Sequence, residues 1–107
     1  MEATPRILRW YRTEGDAEPG LQWLRGLRDA KGRNIVRTRL NRLQSGNFSN
    51  CEPVGNGVHE LKIDFGPGYR IYFGEDGDSV ILLNGGTKDT QERDIAKAKV
   101  HWEDYNA

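Results

Sequence analysis

Lys62 and Arg70 stand eight positions apart in a stretch of alternating apolar and polar residues, with Tyr72 two positions further and Lys88 beyond the next apolar run. If Leu61, Ile63, Tyr69, Ile71 and Phe73 face a core, alternation sends Lys62, Arg70 and Tyr72 together to the opposite, uncovered face. Antiparallel neighbours on one face lie within several ångströms of each other, so two or three cations and a phenol converge there as a phosphate site. Cleavage of RNA through its own 2′-hydroxyl fits these residue types. That reaction puts extra charge on the phosphorane, takes a proton from the 2′-oxygen and returns one to the departing 5′-oxygen. Arg70 would grip phosphate oxygens in a fork, and Lys62 or Lys88 would stabilise charge or move a proton. Glu60, Asp64 and His59 are the available proton acceptors, and Tyr72 would stack on an unpaired base. No metal and no cofactor is needed. The competing reading is that Lys62 and Arg70 only solubilise a sheet face by pairing across strands with Glu60 and Asp64.

The elements that must position these groups follow from periodicity. Ile7 to Tyr11 predicts a short first strand ending near Thr13. Leu21, Trp23, Leu24 and Leu27, introduced by Pro19, have helical spacing, and a second helix from Lys31 to Gln44 puts Ile35, Val36, Leu40 and Leu43 on one stripe. Asn47 to Gly57, rich in Asn, Gly, Ser and Pro, reads as a loop. Val58 to Phe65, Tyr69 to Gly74 and Val80 to Leu83 read as three successive antiparallel strands joined by Gly66-Pro67-Gly68 and Glu75-Asp76-Gly77-Asp78. Gly85-Gly86 breaks the strand pattern, Asp89 with Glu92 reads as a capping-box-like start, and Ile95, Ala98 and Trp102 place a final helix. The expectation is one small α+β domain over residues 1–107, of order β-α-α-β-β-β-α, with its helices on one face of a mainly antiparallel sheet. Trp10, Trp23 and Trp102 are expected in its core.

Composition narrows the classes. Sixteen basic residues balance sixteen acidic ones, and 36% of residues are hydrophobic, which allows one modest core and disfavours indiscriminate binding to polyanions. The balance is uneven along the chain: from Arg25 to Arg42, seven cations oppose the single Asp29. Arg37 and Arg39 in this segment read as a solvated face or as a footprint for an acidic protein or RNA. Lone Cys51 forms no internal disulfide, no basic helix terminus or His stands beside it, and no zinc-ligand spacing links His59 with His101. The first residues lack the apolar stretch of a secretion signal and no apolar run reaches membrane-spanning length, so the expected location is the cytoplasm, with no membrane partner.

The run Gly57-Val58-His59-Glu60-Leu61-Lys62-Ile63-Asp64-Phe65-Gly66-Pro67-Gly68-Tyr69-Arg70-Ile71-Tyr72-Phe73, followed by Leu82-Leu83-Asn84-Gly85-Gly86-Thr87-Lys88-Asp89-Thr90-Gln91 and Asp94-Ile95-Ala96-Lys97-Ala98, closely resembles the HigB-like "addiction module killer protein" branch of the RelE/ParE toxin superfamily. Trp23 to Asp29 and Ile35 to Leu43 fit the same branch, so the resemblance covers nearly the whole chain. It implies the toxin of a type II toxin–antitoxin module, inhibited by a cognate antitoxin protein, often of helix-turn-helix type. It also implies a ribosome-dependent, metal-independent endoribonuclease that cuts mRNA with Lys and Arg side chains. Arg70 matches the family's phosphate-binding arginine, and Lys62 and Lys88 match its strand and post-strand lysines. Some members carry a catalytic tyrosine where this chain reads Gln91-Glu92-Arg93-Asp94-Ile95-Ala96, and Tyr105 lies well beyond. The alternatives within the superfamily are a ParE-like toxin that poisons DNA gyrase without a nuclease site, and an inactive protein that only binds its antitoxin.

Overall fold

Five strands and three helices follow one another as β1 (Ile7–Trp10), α1 (Pro19–Arg25), α2 (Ala30–Gln44), β2 (Cys51–Gly55), β3 (Val58–Ile63), β4 (Tyr69–Asp76), β5 (Ser79–Thr87) and α3 (Gln91–Asn106), in a computed structural model that describes residues 4–107. The strands form one sheet in the order β1-β5-β4-β3-β2. β1 runs parallel to β5, and every other pairing is antiparallel. The protein is therefore an α+β fold on a mostly antiparallel sheet.

Local chemistry accounts for the helices. The Asp29 carboxylate accepts a hydrogen bond from the Lys31 backbone N–H at 3.1 Å, capping α2. Val36, Leu40 and Leu43 recur at helical spacing and are buried against Leu61, Ile63, Ile71 and Phe73. Each such aliphatic side chain contributes about 1.5–3 kcal/mol on burial. Trp10 and Trp23 pack onto this cluster from the side.

A second apolar layer lies on the other face. Val58, Tyr72, Ile81 and Leu83 point away from α1 and α2 and are covered by Ala98, with Ile95, Trp102 and Tyr105 of α3 packed around them. The helices thus occupy both faces of the sheet, α1 and α2 on one and α3 on the other, which corrects the expectation of a single covered face. The reason lies in β5. Val80 to Leu83 are all buried, each on its own side, and such a run needs cover on both faces.

Three smaller expectations also change. Cys51–Gly55, expected as loop, forms the edge strand β2; Pro53 is tolerated there because an edge strand has one side without partners. Gly85 and Gly86 do not end β5, which pairs through Thr87. They are glycines because neighbours come close: a methyl on Gly85 would run into the Trp23 indole, and one on Gly86 into the Asp94 carboxylate. The helix start uses Thr87 and Thr90, which form a reciprocal capping box around a 3-10 turn at Lys88–Thr90, rather than Asp89 and Glu92.

Candidate functional site

The register of β3 on β4 sets Lys62 directly opposite Arg70 and Glu60 directly opposite Tyr72. Lys62 and Arg70 are therefore cross-strand neighbours on the α3 side of the sheet, at the end that α3 leaves open. β2 begins at Cys51, opposite Leu61, so the last residues of β3 lie at a free corner of the sheet. A groove of about 560 Å³ opens there, lined by Ile35, Arg39, Asn50, Lys62, Ile63, Asp64, Phe65 and Arg70. Three cations face it against the single carboxylate of Asp64.

Each cation has donors to spare. Arg70 makes no ion pair among the described residues. Its Nη1 donates to the Tyr69 carbonyl at 3.1 Å, and its Nε is buried without a partner. Unpaired buried donors are uncommon. Lys62 reaches Glu52 at 3.2 Å, a partly exposed pair worth about 0–1 kcal/mol that a phosphate readily displaces. Arg39 donates once, to the Ser49 carbonyl at 3.3 Å, and among the described residues its other N–H groups have no protein partner. The expected pairing of Lys62 and Arg70 with Glu60 and Asp64 is absent among the described residues.

Lys88 stands next to Arg70 but outside the lining of the groove. Its backbone N–H donates to the Gly68 carbonyl at 2.9 Å, which ties the 3-10 turn to the β3–β4 connection. Gly68 has φ of 79° and no side chain, and a Cβ there would lie 3.3 Å from Arg70 Nη1 and 3.4 Å from Lys88 Cβ. Glycine thus serves both the turn and the approach of the two cations. Arg37 is exposed on another side of α2 and does not line the groove, so the structure separates it from Arg39. Two residues on a helix differ by about 200° in direction, which explains the split.

Tyr72 is the main correction. It has no exposed surface, being covered by α3, and therefore has no ring face for a base. Burial, then the nearby Glu60 carboxylate, pushes its phenol pKa strongly upward. The hydroxyl faces that carboxylate, but no hydrogen bond of ordinary geometry joins them. Of the three proton acceptors read from the sequence, Glu60 is 1% exposed and accepts from Gln91 Nε2 at 2.8 Å. His59 lies on the α2 side, stacked on Phe73 at 5.4 Å. Asp64 alone lines the groove.

Sequence reasoning missed two members of this site. Asn50, in a stretch read as loop, borders the groove because Lys62 N–H donates to its carbonyl at 3.0 Å and seats the turn against β3. Phe65 packs on the core cluster of Leu61, Ile63 and Tyr69, the face that alternation gives it, and at the same time lines the groove. The strand stops at Ile63, and the Phe65 N–H turns back to the Ile63 carbonyl. Elsewhere, burial pushes the Cys51 thiol up to about 11, so little thiolate forms near neutrality. Tyr105 donates to Asp76 at the far end of β4, remote from Arg70. Among the described residues no three His, Cys, Asp or Glu side chains gather as a metal site does, and no helix is long and apolar enough to cross a membrane.

A protein of Haemophilus influenzae, described only as an uncharacterized protein, is 44% identical to this chain over 79 residues, which cover 73% of this chain and 80% of the relative. The chain belongs to that protein's family. No protein-family model matches the chain, and no solved structure matches it.

Proposed function

We propose that the protein is the toxin of a type II toxin–antitoxin module and a ribosome-dependent mRNA endoribonuclease of RelE-like topology, acting in the cytoplasm. The observation that carries this reading is the groove in which Arg70, Lys62 and Arg39, from three different elements, face one open volume with a single carboxylate among them. Such an excess of under-used cationic donors suits a phosphodiester. The resemblance in the runs around Lys62, Arg70 and Lys88 supports the same chemistry.

In the proposed reaction the substrate's 2′-oxygen forms a bond to phosphorus while the bond to the 5′-oxygen breaks, leaving a 2′,3′-cyclic phosphate. Asp64 takes the proton from the 2′-hydroxyl. Arg70 and Lys62 stabilise the phosphorane oxygens, and Lys62 or Lys88 supplies a proton to the departing 5′-oxygen. No step uses a metal or a cofactor. A ribosome presents the strand, which suits a chain whose total charge is zero and whose cations are concentrated locally. The cognate antitoxin, proposed as a helix-turn-helix protein, holds the toxin inactive.

Inducing the protein without an antitoxin and mapping mRNA 5′ ends tests this. New ends within translated codons are expected, and Arg70→Ala should remove them and the growth arrest while the far-ultraviolet circular dichroism stays that of the wild type. Intact mRNA during growth arrest rejects the nuclease. If supercoiling by gyrase is blocked at the same time, the ParE-like alternative holds instead.

A further inference from the structure

With Tyr72 buried, the open groove still contains an aromatic ring. Phe65 is half-buried and lines the groove beside Ile35 and Ile63, with Arg39, Lys62 and Arg70 around this apolar floor. The ring is supported from within the fold, 6.5 Å from the Tyr69 ring at an interplanar angle of 26°, and the mobile-stemmed Lys31 ammonium sits over its face, 5.7 Å from the centroid, where an incoming base would displace it. An aromatic surface ringed by cations fits a ligand that is itself aromatic at one point and anionic at the next. The volume of about 560 Å³ falls in the range of roughly 300–1,000 Å³ usual for sites that enclose a small organic molecule.

Resting on the RNA-cleavage reading above, we infer that Phe65 is the stacking platform for an unpaired base next to the scissile phosphate. The base lies over Phe65 and Ile35, the scissile phosphate sits on Arg70 and Lys62, and the neighbouring phosphate reaches Arg39. An acidic peptide would match the cations but gain little from the flat ring, whereas every nucleobase has a face to stack. Phe65 would thus act as a substrate-binding residue that takes no part in proton transfer.

The test uses the purified protein, programmed ribosomes and single-turnover cleavage of a model mRNA, with Phe65→Leu and Phe65→Tyr as variants. Leucine keeps an apolar side chain of similar size and removes the aromatic face, while tyrosine keeps the face. Phe65→Leu should slow cleavage about 5- to 150-fold, as loss of one base–aromatic stack does, and Phe65→Tyr, which keeps the ring, should recover most of that loss. On mRNA lacking the stacked base, found by removing the bases flanking the cut one at a time, wild type and Phe65→Leu should cut equally slowly. Equal rates for wild type and Phe65→Leu on intact mRNA overturn the inference and leave the nuclease reading standing. So does an equal fractional loss for Phe65→Leu on every abasic mRNA, which marks a structural role. Unchanged cleavage with weakened binding of an acidic protein partner assigns the groove to protein docking and also overturns it. Absence of cleavage by the wild type removes the nuclease reading and this inference together.

Discussion

Arg70 and Tyr72 are two positions apart on β4 and share one face of the sheet, yet their surroundings make them different objects. Arg70 sits where α3 has not yet begun, and its guanidinium looks into open volume. Tyr72, one row further in, is sealed by α3, with a hydroxyl that has no hydrogen-bond partner of ordinary geometry among the described residues. A buried hydroxyl without a partner costs about 1–3 kcal/mol. Tyr72→Phe is therefore expected to leave the stability unchanged or raise it by up to that amount, as read by urea unfolding. A loss of more than about 1 kcal/mol would show that the hydroxyl is bonded after all, with Glu60 as its partner.

At the scale of elements, the corner site exists because secondary structures stop at different places. β2 begins late, β3 ends at Ile63, and α3 begins only after the 3-10 turn at Lys88–Thr90. What holds the layers close enough to make this corner is the contact of tryptophan rings with bare backbone. Trp23 of α1 lies on Gly85 of β5, and Trp102 of α3 lies on Gly74 of β4. Adding a methyl there forces the indole away from the sheet. Gly85→Ala is expected to destabilise by about 1–3 kcal/mol, as overpacking does, measured by thermal or denaturant unfolding. In the double variant Gly85→Ala/Trp23→Leu the cost should be smaller than the sum of the two single costs, because one clash is shared. Strict additivity would mean that the ring and the glycine do not constrain each other.

For the molecule as a whole, two groups with shifted titration, Tyr11 after β1 and His101 on α3, meet where the chain after β1 packs against α3. The Tyr11 ring lies tilted against His101 with centroids 4.8 Å apart and its hydroxyl donates to Asp104, and Lys97 is also near the imidazole. Burial, opposed by Asp104 and assisted by Lys97, lowers the His101 pKa below its ordinary 6.5. The unfolded chain then binds this proton more readily than the folded one, so stability is full above about pH 6.5 and falls as the pH drops toward the folded value. Burial and Asp104 push Tyr11 up to about 12. Its contribution is full below pH 10, and is lost between about 10 and 12. Unfolding midpoints should decline on both sides of a plateau. His101→Gln should flatten the acid limb and Tyr11→Phe the alkaline limb; unchanged limbs in these variants would place the linkage elsewhere.

The sequence by itself determined the helices, the strands β3 and β4, the α+β class and the placing of Lys62 and Arg70 on one face of the sheet. These depend on local spacing: period 3.6 along Val36, Leu40 and Leu43, and period 2 along Leu61 to Phe73. The Asp29 cap was also within reach, since it acts on a residue two positions away. Tertiary structure decided which face α3 would cover, and with it the fate of Tyr72. Alternation assigns a residue to a side of a strand but carries no information on what lies over that side. It decided too that Arg39 and Arg37 part company, that Phe65 lines an open groove while packing on the core, and that Gly85 and Gly86 are sites of close approach rather than a break. Each of these depends on where separate elements stop and meet, a quantity set by packing across long sequence separations rather than by neighbours along the chain.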